Sequence, residues 1–399
     1  MRLYEFEGKQ LFVSAGIPIP TSKLCSNETC SFPGGVPVTL SFPVFAKVQV
    51  LHGNRAQRGG VMKFAEGEES AYKLQVDAWL NVGWNHEKVE YVLVEQSVKN
   101  IKKEHYISIR WSTKERGPVL LYAPHGGTGV EERGEDLEHH TIDITKPKDV
   151  IQNIFKNGYL AETVLKVWDV FYKNDASLVE INPLFELEDG SFIAGDAKIE
   201  LDDVASFRHP EWNLYPKRSP FARKPTSMEE RAKEINAMDH RGVAGASFFE
   251  LDGDIAIMAS GGGASLLVMD ALLGSGLKPA NYTEYSGNPS REKVMELTKL
   301  VLSKPNLRGL LVIGGNANFT DIFETLTGVM DGIEQTKPHP DYPIVIRRGG
   351  PRWEEAFEMV RARTTAAGKL DITLFGPQTS MLEAVPVFVQ KVLRNGNTR

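Results

Sequence analysis

The stretch Leu310-Leu-Val-Ile-Gly-Gly-Asn-Ala-Asn-Phe-Thr320 decides how the second half of this sequence is interpreted. An apolar run leads directly into a glycine-rich segment and then into a helix-like segment, which is the pattern of a buried strand joined to a helix. Three further strand and loop pairs have the same pattern: Ile255–Ala259 with Gly261–Gly263 before it, and Ile344–Ile346 with Arg347–Pro351 and Ile372–Phe375 with Gly376–Thr379 after it. Residues 245–393 are therefore predicted to form a doubly wound α/β domain around a parallel sheet.

The loops of these four pairs predict an anion site. In a doubly wound sheet the loops meet at the carboxyl ends of the strands, and each helix start offers free backbone N–H groups. Arg347 and Arg348 add two permanent positive charges, and Asn318 and Thr320 add short polar side chains. Such a set suits a di- or tricarboxylate. The alternative is that the glycines only serve turns, Thr320 caps a helix and the arginines pair with neighbouring glutamates.

A second candidate site lies in the first half of the chain. Lys47 falls inside the apolar run Pro43–Val50, where an unpaired ammonium group would be costly, so it needs an anionic partner. A nucleotide phosphate would serve as that partner, and so would a structural carboxylate. The glycine- and arginine-bearing segment His52–Gly60 is long enough to cover phosphates.

Three polar residues in the first half suit a metal ion. Glu180, Asn182 and Asp196 are expected on two strands joined by a hairpin turn at Asp189-Gly190. Their oxygen atoms are the ligands preferred by a hard cation such as Mg²⁺. The alternative is that Asn182-Pro183 is only a turn that ends the first strand.

Composition bounds the class of protein. The 399 residues suggest roughly two to three domains. The formal charge of −6 gives no basic footprint, so neither a nucleic acid nor a membrane is expected as a partner. Two cysteines, Cys25 and Cys30, are too few for a disulfide framework and are expected to be reduced thiols. The N-terminus lacks the apolar region of a signal peptide, and a cytoplasmic location is predicted.

Nearly the whole sequence resembles the β subunits of succinyl-CoA synthetase and, more closely, the matching part of ATP citrate lyase. The motifs that carry the resemblance in the first half are Leu3–Phe12 with Gly16-Ile-Pro18, Ala46–Val50, Gly59-Gly-Val61, Val94-Glu95 with Glu104, Glu180-Ile-Asn-Pro-Leu184 and Gly195-Asp-Ala-Lys198. Those in the second half are Gly261–Ser265, Ala280–Gly287, Gly314–Thr320 and Arg347–Pro351.

The resemblance implies an α/β fold class with two domains. The first, residues 1–240, is an N-terminal ATP-grasp domain that is α+β with two subdomains and ends in a linker or arm at about 205–240. The second, residues 241–399, is a CoA-ligase-type, flavodoxin-like doubly wound parallel-sheet domain that binds citrate.

The resemblance also assigns roles to individual residues. Glu180 faces the phosphoryl-accepting histidine, and Asn182 and Asp196 hold Mg²⁺. The nucleotide-binding positions are Lys47, Asn54, Arg55, Glu95, Val98 and Glu104. The citrate-binding positions are Gly262, Gly263, Asn318, Thr320 and Arg348. Succinyl-CoA synthetases keep one arginine where this chain has the pair Arg347-Arg348, and a third carboxylate and a hydroxyl give a physical reason for extra donors.

No nucleophile links the two candidate sites, and the resemblance explains why. It implies a larger partner subunit that carries the phosphorylated histidine, the CoA site and a citryl-CoA lyase module, so a hetero-oligomer is expected. ATP and Mg²⁺ are the implied cofactors, and CoA is a cosubstrate held mainly by the partner. The alternatives are a citryl-CoA synthetase subunit, a succinyl-CoA synthetase β subunit, a non-catalytic citrate or nucleotide sensor and a stand-alone ATP-grasp ligase.

Overall fold

The computed structural model of the protein describes residues 1–31, 39–127, 137–156, 158–216, 218, 224–367 and 370–396. The chain divides into two compact units, Met1–Lys224 and Pro225–Arg399. The functional division between residues 240 and 241 stays a prediction. None of the helices in these described ranges is long and apolar enough to cross a membrane.

The first unit contains four helices and eleven strands among its described residues. The helices are α1 (Glu5–Ser14), α2 (Glu69–Val82), α3 (Pro147–Ile154) and α4 (Gly158–Lys173), with 3₁₀ helices at Asp203–Arg208 and Pro210–Leu214. The strands are β1 (Ser22–Cys25), β2 (Cys30–Ser31), β3 (Val44–Val48), β4 (Val61–Phe64), β5 (Val92–Gln96), β6 (Ile101–Ser112), β7 (Gly117–Ala123), β8 (Glu138–Thr141), β9 (Ala176–Leu187), β10 (Phe192–Ala194) and β11 (Lys198–Leu201).

Two antiparallel sheets organise the first unit. The smaller has the order β2-β1-β5-β3-β4, and the apolar stripe of α2, with Tyr72, Val76 and Trp79, packs in the same core as its central strands. The larger has the order β10-β9-β6-β7-β8, and β11 also pairs with β9. Helix α4 buries Val164 and Val167 in the core of this larger sheet. Each sheet thus buries one face under a helix, which is the two-layer solution expected for an α+β unit.

The two cysteines differ from the expectation of reduced thiols. Cys25 and Cys30 are directly opposite each other in the pairing of β1 with β2, and the structure joins them in a disulfide. The register of the hairpin brings the two Cα atoms to 4.0 Å, which puts the sulfur atoms within bonding reach. Cysteine number alone could not show this register.

The second unit is built on a parallel sheet. Its helices are α5 (Ser227–Asn236), α6 (Gly262–Gly274), α7 (Arg291–Leu302), α8 (Ile322–Gln335), α9 (Trp353–Ala367) and α10 (Met381–Gly396). Its strands are β12 (Val243–Ala244), β13 (Phe249–Glu250), β14 (Ile255–Ser260), β15 (Asn281–Tyr282), β16 (Tyr285–Ser286), β17 (Gly309–Asn316), β18 (Ile344–Gly349) and β19 (Ile372–Phe375).

The prediction of a doubly wound sheet is confirmed. The strands β14, β17, β18 and β19 pair in this order and are all parallel. Successive residues of β14 belong to two different hydrophobic cores. Met258 is in the same core as Val294 and Leu326, whereas Ala259 is in the same core as Val268. Helices therefore cover both faces of the sheet, and the loops that follow the strands share one edge.

Two elements of the first unit differ from their prediction. The strand expected to end at Asn182-Pro183 continues to Leu187, because its partner β6 shifts register between His105 and Ile107. Such a shift is where a sheet tolerates proline. The sequence pattern predicts a single helical stretch from about Asp149 to Tyr172, but the structure has two helices there, and Gly158 begins the second. The predicted hairpin at Asp189-Gly190 does join β9 to β10.

Candidate functional site

The ammonium group of Lys47, on strand β3 of the smaller sheet, is surrounded by oxygen atoms. Its Nζ lies 2.7 Å from Glu5 Oε1 and 2.6 Å from Glu95 Oε2, and it donates to the carbonyl oxygen of Gly195 at 2.9 Å. The anionic partners that the sequence required are therefore two carboxylates in the structure.

Lys9, one turn after Glu5 on α1, uses the same three neighbours. Its Nζ lies 2.8 Å from Glu5 Oε1 and 2.5 Å from Glu95 Oε1, and it donates to the Gly195 carbonyl at 3.0 Å. Glu5 Oε1 thus accepts from two lysines at once. Since Lys9 and Glu95 are both buried, this arrangement excludes water from the pairs.

Arg55, in the loop between β3 and β4, completes the cluster. Its Nη2 donates to Asp196 Oδ1 at 3.1 Å and lies 2.8 Å from Glu5 Oε2, while Nη1 donates to the carbonyl oxygen of Val48 at 3.1 Å. We call Lys9, Lys47, Arg55, Glu5, Glu95 and Asp196 the charge cluster. It contains three cations and three carboxylates, so its formal charges balance.

The charge cluster fixes the protonation of its central carboxylate. Burial alone would raise the pKa of Glu5, but the cations Lys47, Lys9 and Arg55 hold its pKa well below the ordinary value. The neighbouring carboxylates Glu5 and Glu95 in turn raise the pKa of Lys47 despite its burial. Both shifts favour the charged forms of Glu5 and Lys47, whereas burial and the neighbouring Glu5 raise the pKa of Asp196.

Asn182 and Asp196, the residues predicted to hold a metal ion, lie opposite each other. Strand pairing joins Glu180 to Lys198 and Leu184 to Ala194, and carrying that register inward places residue 182 across from residue 196. The side chain of Asn182 accepts from the N–H of Gly127 at 2.7 Å through Oδ1. Asp196 offers a carboxylate that now pairs with Arg55.

These two oxygen donors fit Mg²⁺, which commonly uses one or two protein oxygens together with substrate phosphates and waters. Over the described ranges no group of three or more His, Cys, Asp or Glu side chains could hold a metal ion by itself. The donor set thus suits a metal that arrives with a nucleotide better than a metal bound by protein alone.

Glu180 is two residues from Asn182 on β9, so the two side chains are on the same face of the strand. Its Oε2 accepts from the hydroxyl of Tyr106 at 3.2 Å and lies 3.5 Å from Lys198 Nζ. The half-buried carboxylate is therefore oriented by two neighbours.

The remaining predicted nucleotide residues lie around this unit without joining the cluster. Glu104 on β6 is exposed, and its carboxylate is 3.5 Å from where a Cβ on Gly127 would be. Asn54 is exposed in the loop before Arg55, and Val98 is half-buried between β5 and β6. In the part of the chain that the structure describes, no hydrogen bond connects the Asn54 or Val98 side chain to the charge cluster.

Sequence reasoning missed Glu5 and Lys9. Both lie in the motif Leu3–Phe12, to whose residues the sequence assigned no chemical role, and they are four residues apart on α1, a spacing that places them on one face. The available signal was a Glu–Lys pair on the same helix face as Phe12, which is buried. That signal points to a buried ion pair but does not identify the partners.

In the second unit, Arg347 and Arg348 lie at the end of β18 and have different surroundings. Arg347 donates to three carbonyl oxygens: Gly314 at 2.7 Å, Thr379 at 2.7 Å and Pro377 at 3.3 Å. It therefore ties the end of β17, at Gly314, and the loop that follows β19 to β18. This role is structural and was not predicted.

Arg348 is one of the largest fully buried side chains of the protein, with 1% of its surface exposed. Its Nε and Nη2 atoms are buried and find no hydrogen-bond partner among the described residues. The guanidinium carbon lies 5.6 Å from the centre of the Tyr285 ring, whose hydroxyl also lacks a partner within that same set. An aromatic face compensates a buried cation only in part, so this side chain is suited to an anionic ligand.

The other predicted citrate residues surround the same edge of the sheet. Gly262 and Gly263 open helix α6 directly after β14, and a Cβ on Gly262 would lie 3.1 Å from Glu284 Oε2. Asn318 is exposed and Thr320 is buried in the loop between β17 and α8. A Cβ on Gly314 would lie 2.1 Å from Arg348 Nη1, so only glycine admits the guanidinium there.

Two families match the two halves of the chain. Residues 2–186 match the ATP-grasp domain, and residues 226–391 match the citrate-binding domain of ATP citrate lyase. Sequence relatives include the β subunits of ADP-forming succinate–CoA ligase from Methanocaldococcus jannaschii and Staphylothermus marinus. They are 31% and 32% identical to this chain, over 89% of it in both cases and over 92% and 91% of their own lengths.

A solved structure is similar over both units. The ATP citrate lyase from Methanothrix soehngenii, determined in complex with citrate and coenzyme A, has a TM-score of 0.77 and 25% identity, covering 98% of this chain and 99% of that one. The ATP-grasp fold predicted for the first half is thereby confirmed. The chain belongs to the family of succinate–CoA ligase β subunits, in the form in which an ATP-grasp region precedes an ATP citrate lyase citrate-binding domain.

Proposed function

We propose that this chain is the citrate-activating subunit of an ATP citrate lyase. In this reaction ATP phosphorylates a histidine of a partner subunit, citrate takes the phosphoryl group as citryl phosphate, and CoA displaces phosphate to give citryl-CoA. The partner then cleaves citryl-CoA to acetyl-CoA and oxaloacetate. This chain would bind the nucleotide and citrate, and it would stabilise the charges that develop during phosphoryl transfer.

The observation that carries the proposal is the buried, unpaired guanidinium of Arg348. A permanent cation in an apolar environment is costly unless an anion pairs with it, and two of its N–H-bearing atoms lack an acceptor in the described chain. Arg347 cannot supply this function because its donors are used by carbonyl oxygens. Gly262, Gly263, Asn318 and Thr320 would supply the remaining donors to a tricarboxylate.

The first unit supports a nucleotide site. Lys47 and Arg55 are the cations that would face phosphates, and Asn182 and Asp196 would hold Mg²⁺, which neutralises phosphate charge when bound. We propose that Glu95, Val98, Glu104 and Asn54 contact the nucleotide. Glu180, oriented by Tyr106 and Lys198, is the carboxylate that would receive the partner's histidine.

The partner is proposed to be a larger subunit with the phosphorylated histidine, the CoA site and the citryl-CoA lyase module. Residues 1–240 and 241–399 are the proposed nucleotide-binding and citrate-binding domains. CoA would be bound mainly by the partner, because no residue of this chain is assigned to it.

A succinate–CoA ligase β subunit is the second candidate function. The identity of 31–32% to two such subunits favours it, whereas the match of residues 226–391 to a citrate-binding domain favours the lyase. A citryl-CoA synthetase subunit would differ from the lyase only in the partner's chemistry.

Thermal unfolding of the purified chain with citrate, with succinate and with neither separates these candidates. A ligand at a hundredfold excess over its Kd stabilises the native state by about 2.7 kcal/mol. We expect a clear increase of Tm with citrate and none with succinate. An increase with succinate alone would assign the chain to the succinate–CoA ligases, and no increase with either, also after co-expression with the partner, would contradict the citrate site.

A further inference from the structure

Arg55 faces two carboxylates with the same nitrogen atom, but it is hydrogen-bonded to only one of them. Nη2 donates to Asp196 Oδ1 at 3.1 Å, with Oδ2 at 3.4 Å. Glu5 Oε2 is closer, at 2.8 Å, yet it is buried without a hydrogen bond of acceptable geometry from any described residue. The guanidinium is thus already ion-paired with a second carboxylate, which is close enough to become its hydrogen-bond acceptor if the contact with Asp196 is lost.

The other oxygen of Glu5 keeps that second acceptor in place. Glu5 Oε1 is 2.8 Å from Lys9 Nζ and 2.7 Å from Lys47 Nζ, and its side chain is about 1% exposed. Because two ammonium groups hold Oε1, the carboxylate cannot rotate away, and Oε2 continues to point towards Arg55. The geometry thus fixes one acceptor while Asp196, whose side chain is 37% exposed, remains accessible.

Asp196 cannot bind a metal ion and Arg55 equally well at the same time. A cation that coordinates its carboxylate would lie near the guanidinium and be repelled by it. Moving Nη2 from Asp196 to Glu5 Oε2 would preserve a charge-assisted hydrogen bond for Arg55 and would free Asp196. The move is short, because both acceptors are already within 3.1 Å of the same atom.

We infer that Glu5 is a positioning residue of the nucleotide site, and that Arg55 blocks Asp196 against free divalent cations until a metal–nucleotide complex draws it to Glu5. This inference rests on the proposed nucleotide and Mg²⁺ site. It adds that the metal enters together with the nucleotide. It also gives a role to Glu5, a residue of helix α1 that was not among the predicted site residues.

The test measures binding of Mn²⁺, as a probe for Mg²⁺, by electron paramagnetic resonance on the full chain, without nucleotide and with ADP. Arg55→Met removes the blocking cation, so we expect Mn²⁺ alone to bind at least about tenfold more tightly than to the wild type, in line with the loss of one charge-assisted contact. Adding Asp196→Asn to Arg55→Met should abolish this gain. Arg58→Met, an arginine of the same loop that lies over the Trp84 ring, is the matched control and should leave the affinity unchanged.

Glu5→Gln tests the second acceptor. It should weaken Mn²⁺ binding in the presence of ADP by roughly tenfold while Mn²⁺ alone stays as weak as in the wild type, because Arg55 then has no charged acceptor to move to. A merely structural role would change both affinities together. Circular dichroism confirms that each variant is folded, and Arg55→Met remains informative if Glu5→Gln is not.

The outcomes separate the inference from the proposed function. If wild type binds Mn²⁺ with ADP but Arg55→Met leaves the affinity for Mn²⁺ alone unchanged, Arg55 does not block the site and the inference is wrong. If wild type binds Mn²⁺ no better with ADP than without it, the nucleotide site itself is wrong, and the inference falls with it.

Discussion

The two units of this protein bury their cations in opposite ways. In the first unit, Lys9, Lys47 and Arg55 are matched by three carboxylates at distances between 2.5 and 3.1 Å. In the second unit, Arg348 is buried without a hydrogen-bond partner for Nε and Nη2 in the described chain. Removing one member of a matched cluster leaves a buried charge without its partner and destabilises the fold, whereas an unmatched cation is retained at a cost in stability. The comparison indicates that the charges of the cluster are needed for folding stability, whereas the charge of Arg348 is suited to binding a ligand.

The largest effect is expected when the matched cluster is broken. Glu5→Gln leaves Lys9, Lys47 and Arg55 with one carboxylate fewer in a buried environment, and removal of one partner from a buried ion pair typically costs about 3–5 kcal/mol. Urea unfolding followed by tryptophan fluorescence measures this loss in the first unit, which contains five of the six tryptophans.

The control for that experiment is the exposed pair Glu162–Lys166. It has the same four-residue helical spacing as Glu5–Lys9, but the Glu162 side chain is 63% exposed. Glu162→Gln should change the free energy of unfolding by about 0.5 kcal/mol or less. Equal losses from the two variants would mean that burial of the charge cluster does not matter.

The next effect concerns the unmatched cation. Arg348→Met should lower the affinity for citrate by about a hundredfold, through loss of charge-assisted hydrogen bonds, and should raise the free energy of unfolding without citrate by about 1 kcal/mol. Isothermal titration calorimetry and thermal unfolding measure the two quantities. In the proposed assembly with a partner subunit, the related change Arg348→Ala should raise KM for citrate and leave phosphorylation of the proposed partner histidine intact.

The adjacent arginine sharpens this prediction. Arg347→Met removes the donors to three backbone carbonyls, so it should destabilise the second unit, opposite in sign to Arg348→Met. Destabilisation by Arg348→Met as well would show that this side chain has structural partners, and the contrast between the units would no longer hold.

The smallest expected effect is a pH dependence confined to the matched cluster. The folded-state pKa of Glu5 is depressed, so its ion pairs contribute fully above the unfolded value of about 4.3 and are lost as the pH falls through the folded pKa. The difference in unfolding free energy between wild type and Glu5→Gln should therefore be constant from pH 7 to about 5 and shrink below about pH 4. A difference that stays constant down to pH 3 would argue against the depressed pKa.

Much of the second unit could be predicted from its sequence, because apolar runs such as Leu310–Ile313 and the glycines after them are local signals. Strand β17 nevertheless extends to Asn316, beyond the apolar run. The continuation depends on pairing with β18, which places Asn316 opposite Gly349 and is a property of two distant segments.

The sequence predicted the chemical class of each candidate site, but it did not predict which side chains contact each other there. Burial of Lys47 required an anion, and the residue pattern singled out Asp196 and Arg348, to which the resemblance added roles, but neither source identified Glu5 as the shared partner. Glu5 and Lys47 are 42 residues apart in sequence, and their contact depends on how α1 packs against the smaller sheet. Likewise, adjacent arginines look equivalent in sequence, and only the backbone carbonyls around Arg347 distinguish it from Arg348.

The three hydrogen bonds that Arg347 donates affect how the ligand specificity of such a site can change during evolution. Every acceptor that Arg347 uses is a backbone carbonyl, a group that each residue type provides. Side chains in the loops next to these carbonyls can therefore be exchanged over evolution while the hydrogen bonds of Arg347 are kept. An ancestral scaffold of this kind could change the acid it recognises through residues such as Asn318 and Thr320 while the loops kept their places.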